Sequence, residues 1–212
     1  MKTLFRNVAV TSIVWLIARI LLAYELLPSG LSKVVGTGSA AWVGPDAGTA
    51  VTGFLQASVA RVAGGNPDVY RWYAWLIQHL FLPNAVVLSY LVAVGQVLVG
   101  LAILLGFFTR FSTAMALLVS MAVLYGGTVS SVPYVLPVEL AIVLLGYYAG
   151  YIGIDGLLLG KASRWFRPPR DGEASHGAAL VWEWLNSLLI VLLVGLLVVV
   201  TFNSYFPAPI LP

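Results

Sequence analysis

Arg19, Glu25, Gln96 and Glu139 stand in or beside long apolar runs of a 212-residue chain. An ionisable group at the middle of a membrane helix costs about 2.5–3.5 kcal/mol on insertion scales, so such groups mark packing contacts or chemistry. A guanidinium can grip an anion or a carbonyl oxygen through its planar set of donors. A carboxyl can pass a proton to a bound reactant, whereas the Gln96 amide exchanges hydrogen bonds only. At about 1.5 Å per helical residue, Arg19 lies about 16 Å from the start of its run, Gln96 about 18 Å below the opposite surface and Glu139 about 9 Å below it. In a layer of about 30 Å these three fall between the midplane and the outer third, and Glu25 sits near the outer edge. Arg19 and Glu25 are six residues apart and do not face each other along one helix. Glu139 is then the carboxylate nearest in depth to Arg19. The expectation is that Arg19, Gln96 and Glu139 converge inside a bundle. They do so either as a packing ion pair or as a pocket that binds a headgroup or relays protons.

Other chemistries find little support. The chain has no cysteine, which excludes disulfide exchange, thiolate zinc sites, iron–sulfur clusters and attached haem c. His79 and His176 lie outside the apolar runs, which argues against a haem held between two membrane histidines, and His79 lacks a second ligand at metal-binding spacing. The net charge of +3 is not arranged as the basic stripe of a nucleic-acid binder. Trp72 and Trp75 read as interfacial anchors. Gly146 and Gly150 form a G-x-x-x-G step that reads as close helix packing.

The elements that position these residues follow from composition. The chain is 60% hydrophobic and 9% charged, against about 25% charged in soluble domains. It reads as an all-α integral membrane protein. Its five apolar segments fall at 8–27, 84–107, 111–128, 133–151 and 181–202. In lipid the backbone must satisfy itself, which makes them helices. The first run contains Arg19 and is too long for a signal-peptide core, so it reads as an uncleaved span. With the N-terminus inside, Lys2, Arg6, Arg110, Lys161, Arg164, Arg167 and Arg170 lie inside and Lys33, Arg61 and Arg71 outside. That distribution places the N-terminus in the cytoplasm and the C-terminus outside. The chain divides into a membrane domain at 1–158, a cytoplasmic linker at 159–179, and a fifth span with an outer tail at 180–212. An outer loop at about 28–83 interrupts the membrane domain. Within that loop 36–48 is Gly- and Ala-rich and reads as irregular, and 49–62 reads as helical. Asn66-Pro67 reads as a helix start. From there Val69, Trp72, Tyr73, Leu76 and Leu80 form the apolar stripe of an interfacial helix. Gly126-Gly127 marks a turn.

Several segments resemble the DoxX/DoxD family of small bacterial and archaeal membrane proteins. They are Arg19 with the following Gly30-Leu-Ser-Lys33, Gly95-Gln96-x-x-x-Gly100-x-x-x-x-x-Gly106-x-x-Thr109-Arg110, and Ala149-Gly150-x-x-x-x-Asp155-Gly156. The resemblance spans about 19–158, and the long outer loop is most similar to the DoxD branch, the large subunit of thiosulfate:quinone oxidoreductase. It implies a four-helix DoxX-like bundle, to which the 181–202 segment adds a fifth helix. It further implies a prokaryotic plasma membrane, a quinone as electron acceptor, and a small DoxA-like second subunit or larger membrane complex. Lys33, Arg61, Arg71 and Gln96 would then bind substrate, while Arg19, Glu139 and Glu25 would act on the quinone and its protons. The family's usual Glu in the second helix is Gln96 here. The alternative is a non-catalytic subunit that anchors a larger complex. A solute transporter ranks behind both, since no inverted repeat is evident.

Overall fold

A computed structural model describes residues 8–62, 69–128, 131–146 and 148–160. Among them the chain is helical and has no strand. The elements are α1 (Val8–Val35), α2 (Ala40–Val43), α3 (Thr49–Ala60) and α4 (Arg71–Leu76), followed by a π-helical turn at Ile77–Phe81 and a 3-10 turn at Leu82–Asn84. Next come α5 (Ala85–Leu105), α6 (Thr109–Tyr125), α7 (Val132–Leu145) and α8 (Ile154–Gly160). The expected fifth span at 181–202, the linker, His176 and Asn66-Pro67 lie outside the described residues.

Two helical stretches, Thr11–Val35 and Arg71–Leu105, are long and apolar enough to cross a bilayer, and α6 and α7 are shorter apolar helices. The most extensive contact is between α1 and α5. The hydrophobic effect supplies little drive between helices in lipid, so close backbone approach must provide the attraction. Two glycines allow it. A Cβ on Gly30 would stand 2.8 Å from the Val97 nitrogen, and one on Gly100 would stand 2.9 Å from Leu27 Cδ2. The two helices therefore run antiparallel, with Gly30 against Val97 and Leu27 against Gly100. The core where four helices meet holds Trp15, Leu22 and Leu26 of α1, Ile103 of α5, Ala116 of α6, and Val135 and Ile142 of α7. Outward-facing Leu91, Leu98, Leu101 and Leu105 on α5 form an apolar surface suited to lipid.

Residues 36–62 and 69–84 roof one end of the bundle. Its own core gathers Val51, Leu55, Val69, Tyr73 and Ile77. The roof also caps α6, whose last carbonyls have no helical donor. Ser58 Oγ and Arg61 Nη1 donate to the Gly126 carbonyl at 2.9 and 3.0 Å, Arg61 also reaches the Gly127 carbonyl, and Tyr73 Oη donates to the Ala122 carbonyl at 2.8 Å. Gly127 adopts φ 73°, a left-handed conformation that glycine takes at no steric cost.

Several expected boundaries shift. The first helix continues through Pro28 to Val35 instead of ending near 27, since a membrane helix tolerates proline where neighbouring groups cover the freed carbonyl. The Gly-rich stretch contains the short α2, and Gly48 enters α3 at φ 95°. The stripe after Val69 bends at the π turn. Ile77, one turn after Tyr73, lies in the core, and the wider turn that starts there leaves Leu80 exposed. The fourth span ends at Leu145, not at 151, and Gly146 and Gly150 sit at and beyond its end. Their small size serves a turn there rather than a helix–helix seam.

Gly30→Val is expected to cost about 1–3 kcal/mol by forcing α1 from α5, whereas Gly95→Ala, with no heavy atom within 4 Å of the new carbon, leaves stability unchanged or raised. Thermal unfolding of the two variants in detergent checks the contrast.

Candidate functional site

Two polar sites emerge, one closing the end of the bundle and one buried in its middle. The first is built on Arg19, which is 1% exposed. Its Nε donates to the Ile103 carbonyl at 2.8 Å and its Nη2 to the Leu104 carbonyl at 2.7 Å. Its Nη1 donates to the Ala149 and Ile152 carbonyls at 2.9 and 2.8 Å. The guanidinium thus ties the last turn of α5 to the turn that follows α7, supplying donors to carbonyls that a helix end leaves bare. A cation at a helix C-terminus also suits the helix dipole.

Asp155 completes this knot from the other side. Its Oδ1 accepts from the Phe108 N–H at 2.8 Å, and its Oδ2 accepts from the Thr109 N–H at 3.0 Å and the Thr109 hydroxyl at 2.9 Å. The carboxylate therefore caps the start of α6, where bare N–H groups favour an anion. The Asp155 N–H donates to the Gly106 carbonyl at 2.8 Å. Gly106 turns the chain out of α5 at φ 68°, and a Cβ there would stand 2.6 Å from Arg19 Nη2. A Cβ on Gly150 would overlap Asp155 Oδ2. Arg110 holds the same end together by donating Nε and Nη2 to the Val143 carbonyl at 3.1 and 2.6 Å.

The second site is Glu139 on α7, 0% exposed. Ser120 Oγ of α6 donates to its Oε1 at 3.0 Å, and its Oε2 is buried without a hydrogen-bond partner. Val135 and Ile142, one turn to either side on the same helix face, belong to the core shared with α1, α5 and α6. Gln96 faces α1, with its Cβ against Gly30, and its Oε1 is likewise buried without a partner. A buried oxygen lacking a partner costs about 1–3 kcal/mol. Each such oxygen is a point in the apolar bundle where a ligand's polar group would gain a hydrogen bond.

The expected meeting of Arg19 and Glu139 does not occur. Arg19 bonds to backbone carbonyls at the end of α5, and Glu139 bonds to Ser120. The expected depth of Arg19 also shifts. It was counted from the start of the apolar run, but α1 extends beyond its neighbours, so residue 19 falls level with their ends. Glu25 lies exposed on α1, and among the described residues it makes no hydrogen bond to either site. Lys33 Nζ donates to the Ser29 carbonyl and hydroxyl at 2.9 and 2.7 Å and stands 5.1 Å from the Trp42 ring centre. Arg61 is engaged with the end of α6, and Arg71 is exposed. His79 stacks on Trp75, with ring centres 4.7 Å apart, on the exposed side of the roof. No cluster of His, Asp or Glu suited to a metal occurs among the described residues. Sequence reasoning missed Ser120 as the partner of Glu139. Its signal was the buried series Thr109, Thr113, Ala116 and Ser120, which shares one face of α6.

Arg19→Gln is expected to cost about 3–5 kcal/mol, because the carbonyls lose their donors and Asp155 loses its counter-charge. Ser120→Ala should cost only about 1 kcal/mol. Thermal unfolding in detergent separates the two.

No curated protein and no solved structure matches the chain. The DoxX family model matches residues 14–129, more than half of the chain. The match takes in Arg19, the α1–α5 glycine contacts, Gln96 and the Gly106–Arg110 turn. This chain belongs to the DoxX family of helical membrane proteins.

Proposed function

We propose that the chain is a membrane subunit of a quinone-linked oxidoreductase in which thiosulfate oxidation drives quinone reduction. The observation that carries this reading is the unpartnered Oε2 of Glu139 in the middle of the bundle. A quinone offers carbonyl oxygens that accept hydrogen bonds, and a neutral Glu139 carboxyl donates to one of them. The quinol offers hydroxyls, which the Gln96 Oε1 and the ionised Glu139 accept. Two thiosulfates joining as tetrathionate release two electrons, and a quinone taking those electrons consumes two protons. Glu139, relayed by Ser120, is the group placed to hand them over. Electrons pass by direct contact between the reactants or through cofactors of a partner subunit, the small DoxA-like chain or larger complex that the sequence resemblance implies. In the orientation with the N-terminus in the cytoplasm, Lys33, Arg61 and Arg71 lie on the outer side and attract the dianion. Arg19 positions the bundle, since its donors are spent on carbonyls, and Glu25 takes no part.

That engagement of Arg19 also favours a second reading, a non-catalytic subunit whose buried polar groups serve packing within a larger complex. Purified chain in lipid nanodiscs with a short-tailed quinone tests the two. The first reading expects quinone absorbance to fall on thiosulfate addition, and Glu139→Gln to cut kcat about 10²-fold or more with the melting temperature kept. No reduction by the chain together with its co-purifying subunits, or full activity in Glu139→Gln, leaves the second.

A further inference from the structure

Glu139 is sheltered from water in the middle of the bundle, and a group placed to hand over protons must recover them. Among the described residues one row of hydroxyls leads to it. Thr109, Thr113, Ala116 and Ser120 are 2%, 0%, 3% and 8% exposed and recur at the spacing of a single face of α6. Both ends of the row meet a carboxyl group. Ser120 Oγ donates to Glu139 Oε1, and Thr109 Oγ1 donates to Asp155 Oδ2 at 2.9 Å. Thr113 Oγ1 donates to the Thr109 carbonyl at 2.8 Å, and its oxygen keeps a lone pair for a further donor. Asp155 is half-buried, so the row begins at the surface of the bundle.

The other directions from Glu139 are apolar. Toward the roof α6 continues with Met121, Ala122, Val123 and Leu124. On α7 the nearest buried residues are Val135, Ile142 and Val143. The core brings Leu22 and Leu26 from α1 and Ile103 from α5. A hydroxyl that bonds its own helix is common and alone would mean little. Here the row ends on a fully buried carboxyl whose second oxygen has no partner.

We propose that Glu139 exchanges its proton with water at the Arg19–Asp155 end of the bundle, along the Thr109–Thr113–Ser120 face of α6. Each hydroxyl accepts one proton and passes one on, so the relay returns unchanged. Thr113 and Ser120 stand about 10 Å apart along the axis, and Ala116 between them offers only a methyl group. Water that enters past Ala116 completes the path, which makes this the slow step. The path rests on the same carboxyl as the quinone reading, and on that reading it draws the protons from the side opposite the roof.

The test needs no quinone, so its failure and the failure of that reading are told apart. Full-length protein in lipid nanodiscs, in mildly acidic buffer, is moved to deuterated buffer. The infrared carboxyl band that Glu139→Gln removes is followed as it shifts. Thr113→Val keeps the shape of the side chain and should slow the exchange about tenfold, and Thr113→Ser should restore it. Ala116→Ser places a hydroxyl in the gap and should speed the exchange about tenfold. A loosened bundle would raise both rates, so changes of opposite sign separate a path from a loss of packing. Tyr73→Phe, at the roof end of α6, should leave the rate as it is. Exchange that Thr113→Val does not slow, or that Ala116→Ser does not speed, overturns the proposal. So does exchange slowed by Tyr73→Phe, or the lack of any carboxyl band that depends on Glu139.

Discussion

The structure depends on one buried cation being met by backbone carbonyls. Arg19 enters the apolar bundle with five N–H donors, and carbonyls at the end of α5 and in the turn after α7 accept four bonds from them. Asp155 performs the opposite task at the same end of the bundle, meeting the bare N–H groups at the start of α6. The two charges do not need a direct ion pair. Each neutralises a helix end of the opposite polarity, and the turns at 106–108 and 148–153 bring those ends together. In a low-dielectric surrounding this matters more than in water, because an unsatisfied backbone group has no solvent to fall back on.

With the end of the bundle closed in this way, the middle is free to hold a different kind of group. Among the described residues Glu139 has no cation to neutralise it, and its one hydrogen-bond partner is the Ser120 hydroxyl. A purely structural carboxyl in such a place would be expected to use both oxygens, since partly satisfied buried polar groups cost more than apolar ones. The division of labour is therefore geometric. Arg19, Asp155, Thr109 and Arg110 build the frame, and Glu139, Ser120 and Gln96 carry the polarity that the frame shelters.

Much of this was legible in the residues themselves. The apolar runs announced α1, α5, α6 and α7, the Gly126-Gly127 pair announced a turn, and 49–62 announced α3. The motif residues Arg19, Gly106, Thr109, Ala149, Gly150 and Asp155 were visible as a pattern, but their meeting was not. It arises from three separate chain turns, and Arg19 reaches it through the end of its long side chain. Depth counted from the first apolar residue misplaced Arg19, because hydropathy does not reveal that one helix overshoots its neighbours. The π turn after Leu76 has no strong sequence mark, and so the outward turn of Leu80 was hidden. The pairing of Glu139 with Ser120 was hidden for a plainer reason: a single serine in an apolar helix more often bonds its own backbone.

The measurement that tests this account most directly is a double-mutant cycle on Arg19→Gln and Asp155→Asn, read as unfolding free energy of the purified chain in detergent. If both groups close one knot, the second substitution costs much less in the presence of the first, with a coupling of about 1 kcal/mol or more. Costs that simply add would show two independent contacts, and the bundle would not be held by the frame described above.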